Sequence, residues 1–181
     1  MNTLDVSKFV PNTKLKAILE YVQGIPQGEK AILFSQFGVM LDLIEHYISV
    51  NGVVCVKLTG ALRIPVRQSV ISAFRNDPKV RVILISLKAG GEGLNLQNAN
   101  HVMLCDPWWN PAVEMQAVQR AHRIGQTLPV KAVRLVTSNS VEERMMELQE
   151  KKMLVFEGTI DGKATSLHRL SAEDMQFLFS H

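Results

Sequence analysis

The sequence predicts an α/β domain built on a parallel sheet with helices on both faces and a helical extension at the C-terminus. Three observations carry this. Short runs rich in β-branched residues alternate with amphipathic stretches of helical length, the pattern left by βαβ units. Residues that start and stop helices stand between those stretches where they are needed. No internal repeat or low-complexity segment interrupts the alternation.

Taken in chain order, a helix is expected from about Asn12 to Gln23, followed by a first strand at Ala31 to Ser35. Phe37 to Val50 then carries Met40, Leu43, Ile44 and Tyr47 near the 3.6-residue spacing of one helix face. Asn51-Gly52 ends it, and a second strand is read at Val53 to Leu58. The helix Ile64 to Asn76 closes on Asn76-Asp77-Pro78 and leads to a third strand, Val80 to Ser86. A fourth strand follows at His101 to Asp106. Asn110-Pro111 supplies an N-cap with proline at the first helical position, opening a helix from Pro111 to Ile124. A fifth strand, Val130 to Val136, precedes a long charged helix from about Ser140 to Glu157. The stretch from Gly158 to Leu170 reads as loop, with a short helix beginning near Ser171.

With 181 residues, 46% of them hydrophobic and 20% charged, the chain suits one soluble globular domain with small terminal additions. Apolar runs such as Val80 to Leu84 fall far short of the roughly 20 residues a membrane span needs, and no basic segment leads into an apolar signal core. No membrane partner is expected. Cys55 and Cys105 both sit in strand-like apolar runs, as buried reduced thiols do, and form neither a zinc site nor a disulfide framework. The net charge of +3 is unevenly spread. Lys57, Arg63, Arg67, Arg75, Lys79, Arg81 and Lys88 face the single acid Asp77 in the centre, whereas acids outnumber bases beyond Val141. A central basic segment suits a polyanion; an ordinary solvated face reads equally well from charge alone.

Ligands of open parallel sheets bind beyond the carboxyl ends of the strands, so the loops leaving strands are the places to search. Ser86 to Asn95 holds Gly90, Gly91 and Gly93, which let backbone approach a phosphate or ribose, with Lys88 as a cation; tight packing is the alternative. It is not a P-loop, because Ala164 follows the chain's Gly162-Lys163 where a P-loop needs serine or threonine. Gln116, Arg120 and Arg123 fall within an arc of roughly 60° on one helix, a stripe suited either to clamping phosphate oxygens or to facing solvent. Asp106-Pro107-Trp108-Trp109-Asn110-Pro111 contains both tryptophans. One is expected to anchor the turn against the core, leaving the other to stack on a base or enter a groove.

Three segments in order then carry a resemblance. AILFSQFGVMLDLI resembles motif IV, ISLKAGGEGLNLQNANHVMLCDPWWNP resembles motif V with its extension, and QAVQRAHRIGQ resembles motif VI of the C-terminal RecA-like lobe of Swi/Snf-family DNA translocases in helicase superfamily two. The series covers Lys30 to Gln126 and is followed by the VEERMMELQEKK helix. The resemblance divides the chain into a lead-in at 1–29, the lobe at 30–137 and a C-terminal extension at 138–181.

It implies that Arg120 and Arg123 are arginine fingers reaching an ATP γ-phosphate held by an N-terminal lobe, with Gln116 and Gln126 in support. Gly93 and Asn95 fall near the nucleotide ribose. Ser35, Gln36, Thr59, Gly60, Arg67, Ser86 and Lys88 fall where relatives hold double-stranded DNA by its phosphates, and Trp109 matches a tryptophan that touches DNA and couples hydrolysis to movement. Leu87 stands where many relatives carry threonine, so a hydroxyl contact is not expected there. ATP and magnesium would be held mainly by the N-terminal lobe, and the chain itself holds no metal. The SLKAGG segment, the DPWWNP turn, the LQEKK helix and the LSAEDMQFLF ending look like the RING-bearing DNA repair translocases. That likeness implies a RING upstream, a nuclear location, and partners among chromatin or ubiquitin-pathway proteins. The equivalent lobe of an RNA helicase is disfavoured by the Trp-Trp-Asn-Pro and His-Arg-Ile-Gly-Gln sequences. A catalytically dead DNA- or protein-binding module is the alternative from another class.

Overall fold

The computed structural model describes residues 10–90, 94, 96–121, 126, 128–158 and 170–179, with backbone alone at 90 and 154–158. Strands β1 (Ala31–Ser35), β2 (Cys55–Leu58), β3 (Val82–Ser86), β4 (His101–Leu104) and β5 (Lys131–Arg134) form one parallel sheet in the order β2-β3-β1-β4-β5. β1 is central and buried at all five positions. Its side chains alternate between faces, so Ile32 and Phe34 enter one apolar layer while Ala31 and Leu33 enter the other. Each large side chain withdrawn from water there contributes about 1.5–3 kcal/mol.

The helices sort by layer. α1 (Thr13–Gln23) and α2 (Gly38–Val50) cover one face through Leu15, Ile18, Leu41, Ile44 and Ile48. α3 (Ile64–Asn76), the single turn α4 (Leu87–Gly90) and α5 (Pro111–Gln119) cover the other through Phe74, Leu87, Ala89 and Ala117. Asn12 caps α1 by accepting from Leu15 N–H at 2.9 Å, and Asn110 caps α5 by accepting from Ala112 N–H at 3.0 Å. The turn between α2 and β2 needs a left-handed residue, which Gly52 supplies at φ 82°.

The extension consists of α6 (Val141–Gly158) and α7 (Ala172–Phe179). Lys152 pairs with Asp174 at 2.8 Å, and the Lys151 ammonium lies 3.6 Å from the centre of the Phe177 ring, so α7 rests on α6. Lys14 pairs with Glu142 at 2.6 Å and ties the start of α6 to α1. Among the described residues no helix is long and apolar enough to cross a membrane.

Most expected elements form, with shorter strands. Beyond each strand the ladder thins to single bonds, such as Arg81 N–H to Val54 O (3.1 Å), Cys105 N–H to Phe34 O (2.8 Å) and Leu135 N–H to Leu104 O (2.9 Å). The expected loop after β3 begins instead as the turn α4, because Leu87 and Ala89 are buried and Ser86 Oγ accepts Ala89 N–H at 3.4 Å. The expected helix from Pro111 to Ile124 is shorter among the described residues. After Gln119 it tightens through bonds from Arg120 N–H to Ala117 O and Ala121 N–H to Val118 O, both 3.1 Å. Positions 122–125, and most of the expected loop from Gly158 to Leu170, lie outside the described residues.

Candidate functional site

The chain leaves β1 toward β2 and leaves β4 toward β5, so the two loops run apart and open a crevice at the carboxyl ends of these neighbouring strands. Ser35 and Asp106 fill its floor, 0% and 4% exposed. Ser35 Oγ donates to Asp106 Oδ2, Gln36 N–H donates to Asp106 Oδ1 at 2.9 Å, and Phe37 N–H donates to Ser35 Oγ at 3.0 Å. Gln36 Nε2 also donates to Pro107 O at 3.3 Å. Burial pushes the Asp106 carboxyl above the usual carboxylate range, against the pull of the bonds from Gln36 and Ser35. A groove of about 900 Å³ lies beside this pair, lined among others by Phe37, Val39, Met40, Val136 and Lys14; none of the described site residues expected from sequence lines it.

From the crevice the candidate DNA contacts run along the sheet edge. Ser86 on β3 is the register partner of Ser35, and Leu58 pairs with Ile85, which brings Thr59 to the next position on the same edge. Gly60 is exposed, Thr59 half-buried, and Leu62 N–H closes the turn onto Thr59 O at 3.2 Å. Lys88 is exposed on α4 and Arg67 half-buried on α3. The central basic segment is not wholly available to a ligand. Lys57 is neutralised by Asp42 and Glu45, and Arg81 donates to Ile25 O at 2.6 Å.

On the other side of the crevice the Trp-Trp turn is gripped by its own neighbours. Trp108 packs on the core, and its N–H donates to Glu114 Oε1 at 2.6 Å. Its carbonyl accepts from Gln149 Nε2. Glu114, 1% exposed, also pairs with Arg134. Trp109 is half-buried, its ring centre 5.7 Å from that of Trp108 and 5.7 Å from Lys152 Nζ. Gln116 is exposed on α5, and Arg120 is half-buried at its C-cap. Gln126 Nε2 donates to Gln97 O at 2.9 Å and Ala99 O at 2.8 Å, bracing the chain that follows the glycine-rich segment against the chain that follows α5. Gly93, Asn95 and Arg123 lie outside the described residues.

The pattern of the helicase conserved C-terminal domain matches residues 13–125. The chain belongs to that family. Among curated relatives of this helicase C-terminal domain, the ATP-dependent helicase rhp16 of Schizosaccharomyces pombe is 45% identical across 100% of the chain, which spans 21% of that protein. The DNA repair protein RAD5A of Arabidopsis thaliana is 42% identical across 98% of the chain and 17% of its own length. The DNA repair protein RAD5 of Saccharomyces cerevisiae is 38% identical across 96% and 15%. The chain thus spans about a fifth or less of these relatives. A solved structure of the C-terminal part of the Fun30 ATPase domain superposes with a TM-score of 0.77 at 30% identity, covering 93% of this chain and 54% of that one. The fold is the RecA-like helicase C-terminal lobe that the motif series implies.

Three residues that hold the turns around this crevice, Asp106, Glu114 and Gln149, are not among the site residues expected from sequence. Glu114 left a trace, since it lies on the stripe that includes Ala117 and Ala121, where an unpaired acid would be out of place. Asp106 meets a partner 71 residues away, and Gln149 is one polar residue among many in a charged helix. Neither leaves a local signal.

Proposed function

We propose that the chain is the C-terminal motor lobe of an ATP-dependent translocase on double-stranded DNA, working in DNA repair and chromatin. The observation that carries this reading is the arrangement at the sheet edge. Thr59, Ser86 and Ser35 follow one another on adjacent strand ends, with Lys88 exposed beside them and the Trp-Trp turn leading into the arginine helix at the next strand. A duplex backbone laid along such an edge meets the Thr59 and Ser86 hydroxyls and the Lys88 cation, which position a phosphate without reading bases, while buried Ser35 keeps the edge in shape.

In this reading Arg120 and Arg123, supported by Gln116, stabilise charge on the transferring phosphoryl group once the two lobes close. Gly93 and Asn95 border the ribose, with Gln126 holding the neighbouring main chain. Ser35 and Gln36 act by shaping the first turn after β1, since their side chains are used inside the protein. Among the described residues no group of His, Cys, Asp and Glu gathers as a metal site does, and magnesium is assigned to the N-terminal lobe. Alternating grip as the lobes close and part advances the motor. A nuclear location belongs to the same proposal, supported by relatives named as DNA repair proteins, and an upstream RING follows from the motif likeness alone.

The isolated chain is expected to hydrolyse no ATP, because arginines alone neither cradle the β- and γ-phosphates nor position magnesium. Turnover by the purified chain that vanishes in a matched preparation carrying Arg120→Ala and Arg123→Ala would contradict the proposal.

A further inference from the structure

We infer that Glu114 and Gln149 are positioning residues that jointly set the orientation of the Trp108-Trp109 turn, and that through them helix α6 takes part in coupling ATP turnover to movement on DNA. The inference rests on the motor-lobe reading above and deepens it.

Trp108 offers two main-chain polar groups, and each is taken by a buried side chain from a different helix. Glu114 of α5 accepts its N–H at 2.6 Å, and Gln149 of α6 donates to its carbonyl. Both side chains are withdrawn from water, at 1% and 4% exposure. Burying a carboxylate is a poor way to add stability, because its desolvation consumes most of what its ion pair returns. What the arrangement does is orient. The carboxylate is fixed on its other side by Arg134, whose guanidinium also lies 3.4 Å from the Met146 sulfur of α6. Trp108 is thus held by its ring on the core and by both of its main-chain polar groups. Trp109, one peptide further on, takes its direction from that fixed frame.

The same helix reaches Trp109 directly. Lys152 stands three residues after Gln149, on the same side of α6. Its ammonium lies 5.7 Å from the Trp109 ring centre and is itself held by Asp174 of α7 at 2.8 Å. α6 therefore holds the main chain of one tryptophan and the ring of the other. A roll or slide of α6 must either carry the turn with it or break both contacts. A helix outside the sheet is in this way mechanically joined to the residue proposed to touch DNA.

The test uses the full-length protein, comparing wild type, Gln149→Met, Lys152→Met and Trp109→Ala in two assays: DNA-stimulated ATP turnover and displacement of a third strand from duplex DNA. Methionine keeps the length of glutamine while removing its donor. The ratio of translocation to ATP turnover is expected to fall by roughly tenfold in Gln149→Met, the scale of one lost bond to a buried carbonyl. In Lys152→Met, whose contact lies nearer solvent, a fall of about twofold to fivefold is expected. A purely structural role would lower both activities in parallel with melting temperature and leave their ratio alone, which overturns the inference. If Trp109→Ala lowers the ratio while Gln149→Met and Lys152→Met do not, the clamp is wrong and the motor reading stands. If Trp109→Ala also leaves the ratio unchanged, the clamp and the coupling role of Trp109 fall together, while absence of DNA-stimulated ATP turnover in the wild type would remove the motor reading itself.

Discussion

Ser35 and Asp106 join the ends of β1 and β4 by a hydrogen bond between residues 71 positions apart, and they do so at the place where the two strands' loops diverge. The carboxylate also accepts Gln36 N–H, so one buried group fixes the first turn after β1 and the start of the Trp-Trp turn together.

Burial raises the Asp106 pKa above its ordinary 3.8, which sets the sign of its contribution to stability. The folded state holds the proton more tightly than the unfolded one. The contribution is therefore fully present below 3.8 and is lost as pH rises through the raised folded value. Asparagine can accept from Gln36 N–H and donate to Ser35 Oγ without carrying a buried charge. Asp106→Asn is expected to melt at or above the wild-type temperature at neutral pH and to flatten the pH dependence above the ordinary value. Asp106→Ala strips both bonds and should cost about 1–3 kcal/mol. Thermal melts across pH decide it; an asparagine variant as damaged as alanine would show that the charge itself is needed.

The isolated chain should bind duplex DNA weakly and without sequence preference. Because bound counterions are released, log K is expected to fall against log salt with a slope of about −0.9 for each phosphate neutralised. Lys88→Ala and Arg67→Ala should each lower that slope by about one. Binding that persists unchanged from low to physiological salt, or that follows one base sequence, would remove both residues from the phosphate contacts.

Substituting Trp109 by alanine in the complete motor is expected to slow translocation more than ATP turnover, since the residue precedes the start of α5, whereas Arg120 stands at its C-cap. Equal losses in both, accompanied by a lower melting temperature, would make it a packing residue like Trp108.

Local chemistry was legible in the sequence and long-range chemistry was not. α3 occupies the predicted residues because its periodicity is flanked by Pro65 near the start and Asp77-Pro78 at the end. Asn110 announces α5 as its cap, whereas Asn12, read as the first residue of α1, proves to cap it. The turn α4 was hidden because the glycines that follow it dominate the reading, while Leu87 and Ala89 reveal their burial only once β3 has neighbours. The resemblance places Ser35 among the DNA contacts, and its buried hydroxyl donates to Asp106, a partner 71 residues away that no local pattern reveals. Glu114 and Gln149 acquire meaning only when α5 and α6 converge on Trp108.

The motor-lobe proposal stands or falls with the helix after the Trp-Trp turn belonging to an ATPase. Its most direct test is DNA-stimulated ATP turnover of the full-length protein carrying Arg120→Ala, Arg123→Ala or Arg123→Lys, with nucleotide affinity measured separately. Each alanine variant should lose on the order of a thousandfold in turnover, about 4 kcal/mol, while ATP affinity weakens far less. Lysine should rescue poorly, because a point charge does not reproduce the planar guanidinium fork. Near-normal turnover in both alanine variants would contradict the claim and leave a DNA- or protein-binding module with an ordinary charged helix.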